Sequence, residues 1–238
     1  MEQRPSHARK HSRRELLKMA PLACAGMLLH ANSREWMLDA GLRMTDAAST
    51  LAFRPSVLAP TFPEEDVTPF HYFPINSYLA DDPGVDLDAW RLDVSGLVRH
   101  PGAYTLPSIR DFPKVMQNTR HICIEGWDVI GNFAGTRVDD FLTQVGADPS
   151  ARFLEVECAD DYYESIDMGS ARHPQSLLCY EMYGQPLSRE HGAPLRLVMP
   201  TKLGYKQAKY IVAMRVTRVL SARRGYWEDQ GYSWHGGI

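Results

Sequence analysis

The clearest candidate for metal or redox chemistry is Cys123, in the segment Arg120-His121-Ile122-Cys123-Ile124-Glu125-Gly126-Trp127. The thiolate, not the thiol, is the form that binds metals, and the adjacent Arg120 and His121 are expected to favour it. A cysteine between two isoleucines is also commonly a small buried hydrophobe. Taken by itself, the segment leaves both interpretations open.

A second group of polar residues lies about seventy residues later in the chain. Arg196 stands among apolar residues of a predicted strand, where an unpaired cation would be costly, so a buried anion such as phosphate is its expected partner. Gly204 with the spaced Lys202, Lys206 and Lys209 could surround that anion with backbone N–H groups and positive charge. A solvated lysine face is the alternative for the same pattern.

The elements that must position these residues are short strands separated by loops. Alternation of apolar and polar residues predicts strands at 90–94, 154–158, 195–199 and 211–219. Apolar residues spaced three and four apart predict a helix over 138–145, which ends at Gly146. Strands and helices do not alternate regularly, so the sequence predicts an α+β fold with a mixed β-sheet core and short helices.

Composition excludes several classes of protein. The 238 residues carry a net charge of −3 and are 44% hydrophobic, which is typical of a globular chain and not of a disordered or multi-span membrane protein. Four cysteines without a Cys-x-x-Cys pair predict neither a disulfide scaffold nor a zinc site. Residues 1–31 carry +4, which leaves −7 on the remainder and argues against a nucleic-acid partner.

Residues 1–31 have the pattern of an export signal. A basic start precedes an uncharged stretch whose apolar part, Met19 to Leu29, is far shorter than the ~20 residues of a membrane span. The segment Ser12-Arg13-Arg14-Glu15-Leu16-Leu17-Lys18 resembles a twin-arginine motif, with Leu16 in place of the usual Phe. A basic amphipathic helix on a membrane surface is the alternative, but the apolar residues are contiguous rather than spaced. We therefore expect export in the folded state, through the twin-arginine machinery, to the periplasm.

Beyond this signal, the sequence predicts three further segments. Residues 32–75 are expected to be an N-terminal extension, in which the prolines from Pro55 to Pro74 break any long element. Residues 76–220 form the main domain, and residues 221–238 are a tail, rich in aromatic residues and glycine, whose role the pattern leaves open.

Several segments together resemble the molybdopterin-binding domain of the sulfite oxidase superfamily. These are 123–127, 183–187, and above all 191–200 followed by 204–209. The resemblance covers residues 76–220 and implies the fold of that superfamily. It also implies one molybdenum–molybdopterin cofactor per chain, with the Cys123 thiolate as the single protein ligand of the metal, a role that suits a soft sulfur donor.

The resemblance also assigns further site residues. The residues that it matches to cofactor contacts are Asn76, Cys158, His191, Arg196, Gln207, Ala208 and Lys209. Tyr162 matches an active-site tyrosine, although Tyr163 beside it makes the register ambiguous, and packing on a sheet is the alternative for Tyr162. For Cys158 the alternative is a residue of a strand core.

The chemistry implied by the superfamily is oxygen-atom transfer coupled to two electrons. Glu125 and Trp127 follow the cysteine where sulfite oxidases have a basic run, and this pattern resembles the periplasmic branch typified by the protein-methionine sulfoxide reductase catalytic subunit. His191, in contrast, resembles the sulfite oxidase side. We expect reduction of a small-molecule or protein-bound S- or N-oxide with electrons from a membrane b-type cytochrome. The alternatives are a sulfite oxidase that passes electrons to a cytochrome and a non-catalytic binding module.

Overall fold

The computed structural model describes residues 32–78 and 82–238, and the chain divides into two units. Helix α1, Asn32–Ala52, contains the described part of the first unit. The second unit, residues 45–238, contains both sheets and the candidate chemical residues. The twin-arginine signal predicted for residues 1–31 lies outside the described residues.

Helix α1 is the main departure from the extension predicted for residues 32–75. The prolines were expected to break any long element there, but α1 ends at Ala52, before the first of them, Pro55. From Phe53 to Tyr78 the chain forms turns, two short 3-10 helices and one isolated β-bridge, between Thr61 and Thr119, but no long element, as the prolines predict. The tail, residues 221–238, belongs to the same compact unit as the main domain.

The first sheet is mixed and has the strand order β2-β1-β10-β5-β6. Strand β1 pairs parallel with β10, whereas the other pairs are antiparallel. Gly96 ends β1 with φ of +85°, and a Cβ there would lie 2.2 Å from the carbonyl oxygen of Val216, so the position requires glycine. The strands are β1 Leu92–Gly96, β2 Gly102–Tyr104, β5 Phe153–Cys158, β6 Tyr163–Asp167 and β10 Ile211–Thr217.

The second sheet has the order β3-β4-β7-β8, and β9 pairs with β7. Its first two strands form the hairpin that carries Cys123, and the sequence analysis did not predict them. The buried positions of β3 are the polar Gln117, Thr119 and His121, so the strand shows no apolar alternation. The strands are β3 Lys114–Ile122, β4 Asp128–Arg137, β7 Leu177–Met182, β8 Gln185–Pro186 and β9 Arg196–Val198.

Short helices lie between these strands. Helix α3, Val138–Gln144, buries Val138, Phe141 and Leu142, which confirms the helix predicted from their spacing. The other helices are α2 Leu106–Arg110 and α4 Met168–Ala171. Short helices with mixed sheets confirm the predicted α+β class.

The loop between β9 and β10 is fixed by both sheets. The backbone N–H of Leu197 donates to the carbonyl of Ala208 at 2.8 Å, and that of Ile211 donates to the carbonyl of Leu195 at 3.0 Å. Because β9 belongs to the second sheet and β10 to the first, residues 199–210 are held where the two sheets are joined.

Within the described part of the chain, no helix combines the length and the apolar character that a membrane crossing requires.

A buried ion triad joins this loop to the tail. The Nζ of Lys206 lies 2.5 Å from the Oε1 of Glu164 on β6 and 2.5 Å from the Oε1 of Glu228 in the tail. The three side chains are at most 1% exposed. Burial raises the pKa of Glu164, and the second carboxylate adds to this effect against the opposing charge of Lys206.

Lys202 is paired in the same way. Its Nζ lies 3.3 Å from the Oδ2 of Asp167 and donates to the carbonyl of His235 at 2.7 Å. The expectation that Lys202 and Lys206 surround a bound anion is therefore wrong, because carboxylates of the protein already compensate both cations.

We predict that Lys206→Met lowers the free energy of unfolding by about 3–5 kcal/mol, because it leaves two buried carboxylates without their cation. Chemical denaturation at pH 7 measures the change. The control is Lys114→Met, which removes the exposed pair between Lys114 and Glu181 at 2.9 Å and should cost less than about 1 kcal/mol. Equal losses in the two variants would contradict a stabilising role for the triad.

Candidate active site

A cleft with a volume of about 290 Å³ lies in the second unit and brings together most of the residues predicted for the site. Residues from the loop after β3, from β9 and from the β9–β10 loop form its walls. The predicted residues that line it are Asn76, Cys123, Tyr162, His191, Arg196, Gln207, Ala208 and Lys209. Lining residues that the sequence analysis did not assign include Tyr78, His121, Asp160, Tyr205 and Trp227.

Cys123 is the first residue after β3 and is 9% exposed. Its backbone N–H donates to the carbonyl of Trp127 at 2.9 Å, and its own carbonyl accepts from Gly126 at 3.2 Å, so the tight turn between β3 and β4 fixes the thiol. Gly126 has φ of +93°, a conformation that favours glycine.

The charges expected to activate Cys123 do not do so. Arg120 points away, to Asp128 at 3.4 Å and over the ring of Phe62, and His121 is uncharged. Burial raises the pKa of the Cys123 thiol. The neighbouring residues therefore favour the thiol, and a bound metal cation is the agent that would deprotonate it.

Glu125 organises the surroundings of this thiol. Its Oε2 accepts from the Nδ2 of Asn76 at 3.0 Å and from the Nε1 of Trp127 at 3.1 Å, and it lies 3.8 Å from the Sγ of Cys123. The Nδ2 of Asn76 lies 3.6 Å from the same sulfur. One carboxylate thus fixes an amide and an indole around Cys123.

Arg196, on β9, is a buried cation without a counter-charge. It is 4% exposed, and among the described residues its guanidinium donates only to backbone carbonyls, those of His191 at 3.2 Å and Leu197 at 3.5 Å. No carboxylate of the described residues lies within ion-pair distance of it. Burial lowers the pKa of Arg196, but an arginine stays protonated. An anion in the cleft would offset the cost of burying this charge.

His121 and His191 are both uncharged. Burial, with the charge of Arg196, lowers the pKa of His121 to about 3 and that of His191 to about 4. The Nε2 of Gln207 donates to two backbone carbonyls, so its Oε1, 3.2 Å from the Nδ1 of His121, is the acceptor. His121 therefore carries its proton on Nδ1. Its Nε2 is close to Gly204, where a Cβ would come within 2.9 Å.

Lys209 closes the side of the cleft near Asn76. Its Nζ donates to the carbonyl of Asn76 at 2.6 Å, the Oγ of Ser77 at 2.8 Å and the carbonyl of Glu190 at 3.1 Å. Burial, with the charge of Arg196, lowers its pKa to about 8. All three contacts are neutral, so Lys209 adds a second partly buried cation to the cleft.

The structure places Tyr162 and the adjacent Tyr163 in different surroundings. Tyr162 lines the cleft, and its hydroxyl donates to the carbonyl of Tyr205 at 2.6 Å, whereas the hydroxyl of Tyr163 donates to Asp229 outside the cleft. Cys158 does not line the cleft. Strand alternation places it in the apolar core with Leu154, so the structure gives no contact for its predicted role.

The donor set of the cleft suits a metal brought by an organic group. Among the described residues, no three His, Cys, Asp or Glu side chains are grouped as a protein metal site would require. A metal here would have Cys123 as its protein ligand and other ligands from a cofactor. The uncompensated Arg196 fits the anionic part of such a cofactor.

The comparisons with known proteins agree with this geometry. Residues 79–227 match the family described as the oxidoreductase molybdopterin binding domain. The putative protein-methionine-sulfoxide reductase subunit YedZ1 of Azospira oryzae is 48% identical over 207 residues, which cover 86% of this chain and 78% of that protein. The protein-methionine-sulfoxide reductase catalytic subunit MsrP of Ralstonia nicotianae is 29% identical over 229 residues, which cover 85% of this chain and 68% of that protein.

The fold is also similar to that of a solved structure. The sulfane dehydrogenase SoxCD from Paracoccus pantotrophus matches with a TM-score of 0.54 and 22% identity, over 58% of this chain and 41% of the matched chain. This similarity confirms the sulfite-oxidase-type fold that the sequence predicted.

We predict that His121 and His191 stay uncharged from pH 8 to pH 5, so their imidazole NMR signals, assigned with single His→Gln variants, should not titrate. An unfolded histidine binds a proton near pKa 6.5. The folded pKa values of about 3 and about 4 are lower. The unfolded chain therefore binds more protons, and stability should fall as the pH is lowered from 7 to 4. A midpoint near 6.5 for either residue would contradict the burial argument.

Proposed function

Since this chain belongs to the family of oxidoreductase molybdopterin-binding domains and is an enzyme of the sulfite oxidase superfamily, we propose that it is a molybdenum–molybdopterin sulfoxide reductase. The net reaction takes a sulfoxide, two electrons and two protons to a thioether and water. The observation that carries the proposal is the juxtaposition, in one cleft, of the Cys123 thiol with the uncompensated Arg196.

Arg196 and Cys123 would bind different parts of the cofactor. Arg196 would hold an anionic oxygen of the molybdopterin through charged hydrogen bonds, and the backbone of the β9–β10 loop would support it. Cys123 would supply a sulfur ligand to the metal. When bound, the group supplies two-electron oxygen-atom transfer. His121 and His191 are uncharged, so they add no charge to the cleft at neutral pH.

The negative charge of Glu125 beside Cys123 supports a sulfoxide, rather than sulfite, as the substrate. The carboxylate of Glu125 lies 3.8 Å from the Sγ of Cys123 and is held there by Asn76 and Trp127. An anionic substrate at the metal would be repelled by this carboxylate, whereas a neutral, dipolar sulfoxide would not. Two relatives are named as subunits of protein-methionine-sulfoxide reductases, which supports the same choice.

We further propose that the enzyme is exported to the periplasm by the twin-arginine machinery and receives electrons from a membrane b-type cytochrome. The twin-arginine-like segment within residues 1–31 supports export. The relative from Ralstonia nicotianae is named as a catalytic subunit, which supports a separate electron-transfer partner.

We predict about one molybdenum per chain in protein made in cells that synthesise the cofactor. The variant Cys123→Ser should lose sulfoxide reductase activity, assayed with an artificial reductant, because a hydroxyl cannot replace the soft sulfur ligand. The control is Cys179→Ala, which removes a buried cysteine that does not line the cleft.

Two outcomes would contradict this assignment. One is wild-type protein that is free of molybdenum when made in competent cells. The other is molybdenum-loaded protein that oxidises sulfite with ferricyanide and reduces no sulfoxide, which would favour the sulfite oxidase alternative.

We predict that Arg196→Gln weakens cofactor retention by roughly 1.5–3 kcal/mol, about tenfold to 150-fold, because it removes a charged hydrogen bond. Molybdenum per chain after gel filtration measures retention, and Arg196→Lys should be intermediate. The control Arg110→Gln removes an exposed arginine that stacks on Tyr180. The cofactor-free Arg196→Gln variant should be no less stable than the wild type, since the burial cost of the charge disappears. Full retention in Arg196→Gln would contradict the anion-binding role.

A further inference from the structure

The C-terminal tail forms part of the wall of the cleft. Trp227 lines the cleft although it is more than a hundred residues from Cys123 in sequence. Its ring centroid lies 5.1 Å from that of Tyr226 and 5.4 Å from that of Tyr232. The ring of Tyr226 in turn lies 4.5 Å from that of Tyr78. The tail thus adds an indole to a set of packed aromatic rings.

The position of Trp227 is fixed by its own backbone and by the residue that follows it. The next residue, Glu228, is bound by the buried Lys206, and the carbonyl of Trp227 accepts from the backbone N–H of Gln230 at 3.0 Å and of Tyr232 at 3.1 Å. Lys206 belongs to the 3-10 turn Gly204–Lys206, whose other residues line the cleft. The buried ion triad therefore ties Trp227 to the loop that forms the cofactor side of the cleft.

The aromatic wall offers apolar ring faces rather than hydroxyl groups. We define the aromatic wall as Tyr78, Tyr162, Tyr205 and Trp227, all of which line the cleft. The three tyrosine hydroxyls donate to the backbone carbonyls of Asp160 at 2.8 Å, Tyr205 at 2.6 Å and Ser233 at 2.7 Å. Because these donors are already used, the rings present hydrocarbon surface to the cleft.

The lining of the cleft is part charged and part aromatic. Arg196 and Lys209 supply positive charge, and Glu125 and Asp160 contribute carboxyl groups, whereas the four side chains of the aromatic wall are uncharged. A group that reacts at Cys123 and has one polar and one apolar end would be oriented by this contrast. Sulfur and alkyl groups pack favourably on aromatic faces. An aromatic substituent gains further from ring–ring contacts, beyond the area that it buries.

We infer that the aromatic wall is a subsite for the apolar arm of a methyl sulfoxide, and that Trp227 is its specificity-determining residue. The inference rests on the proposed function and deepens it. The subsite selects sulfoxides that carry an alkyl or aryl arm over dimethyl sulfoxide, which is too small to cover the indole.

The test compares two substrates on the holoenzyme with an artificial reductant, methyl phenyl sulfoxide and dimethyl sulfoxide. Trp227→Ala should lower kcat/KM for methyl phenyl sulfoxide about tenfold or more, through KM rather than kcat, because the substrate ring loses the apolar surface against which it is buried. For dimethyl sulfoxide the change should stay within about threefold. Trp227→Phe should keep most of the preference, and Trp227→Leu gives the same comparison if Trp227→Ala does not fold.

A binding measurement separates the subsite from turnover. Calorimetric titration of the holoenzyme with methyl phenyl sulfone, a non-reducible analogue, should show a Kd that rises in Trp227→Ala by the same factor as KM. The control is Trp234→Phe, a tail tryptophan that does not line the cleft and donates to Ser165. It should leave both quantities unchanged, and molybdenum content confirms that each variant is loaded.

Equal losses for the two sulfoxides, or sulfone binding that does not depend on Trp227, would overturn the subsite. A loaded wild-type enzyme that reduces neither sulfoxide would instead overturn the proposed function. In that case the sulfone titration still decides whether Trp227 forms an apolar subsite.

Discussion

The cost of burying the guanidinium of Arg196 is the constraint on which the site depends. A buried charge costs several kcal/mol unless an opposite charge compensates it. In the described part of the chain, the guanidinium donates to two backbone carbonyls, and the neighbouring His121 and His191 are kept uncharged by burial and by Arg196 itself. The charge of Lys206, in the loop after β9, is instead compensated by two carboxylates of the protein. The compensated cation joins the β9–β10 loop to β6 and to the tail, and the uncompensated one would give the cleft an affinity for an anion.

The fold connects these two kinds of cation. Strand β9 carries Arg196, and the loop that follows contributes Lys206 to the buried triad and Lys209 to the cleft. The triad reaches Glu228 and thereby sets the indole of Trp227 beside the site. The buried triad thus connects the β9–β10 loop to the part of the tail that contributes Trp227 to the aromatic wall.

Local sequence patterns predicted part of this arrangement. Strands β1, β5 and β10 and helix α3 follow from apolar periodicity, and β9 lies within the predicted strand 195–199 although all three of its residues are buried. The hairpin of β3 and β4 does not follow from periodicity. The buried positions of β3 are polar, and in β4 the buried apolar residues are interrupted by Gly131, Gly135 and Thr136. On its other side β4 pairs with β7, a strand that is distant in sequence. The family resemblance located Cys123 and Arg196, and the structure brings them to one cleft. Long-range contacts were inaccessible to sequence reasoning: Lys206, in a loop, pairs with Glu164 on β6 and with Glu228 in the tail, next to Trp227.

The most direct test of the central claim is a crystal structure of the cofactor-loaded enzyme. The account predicts a metal bonded to the Sγ of Cys123 and an anionic oxygen of the cofactor within hydrogen-bond distance of the Arg196 guanidinium. A loaded enzyme in which Arg196 still contacts only the carbonyls of His191 and Leu197, with the anionic group bound elsewhere, would contradict it.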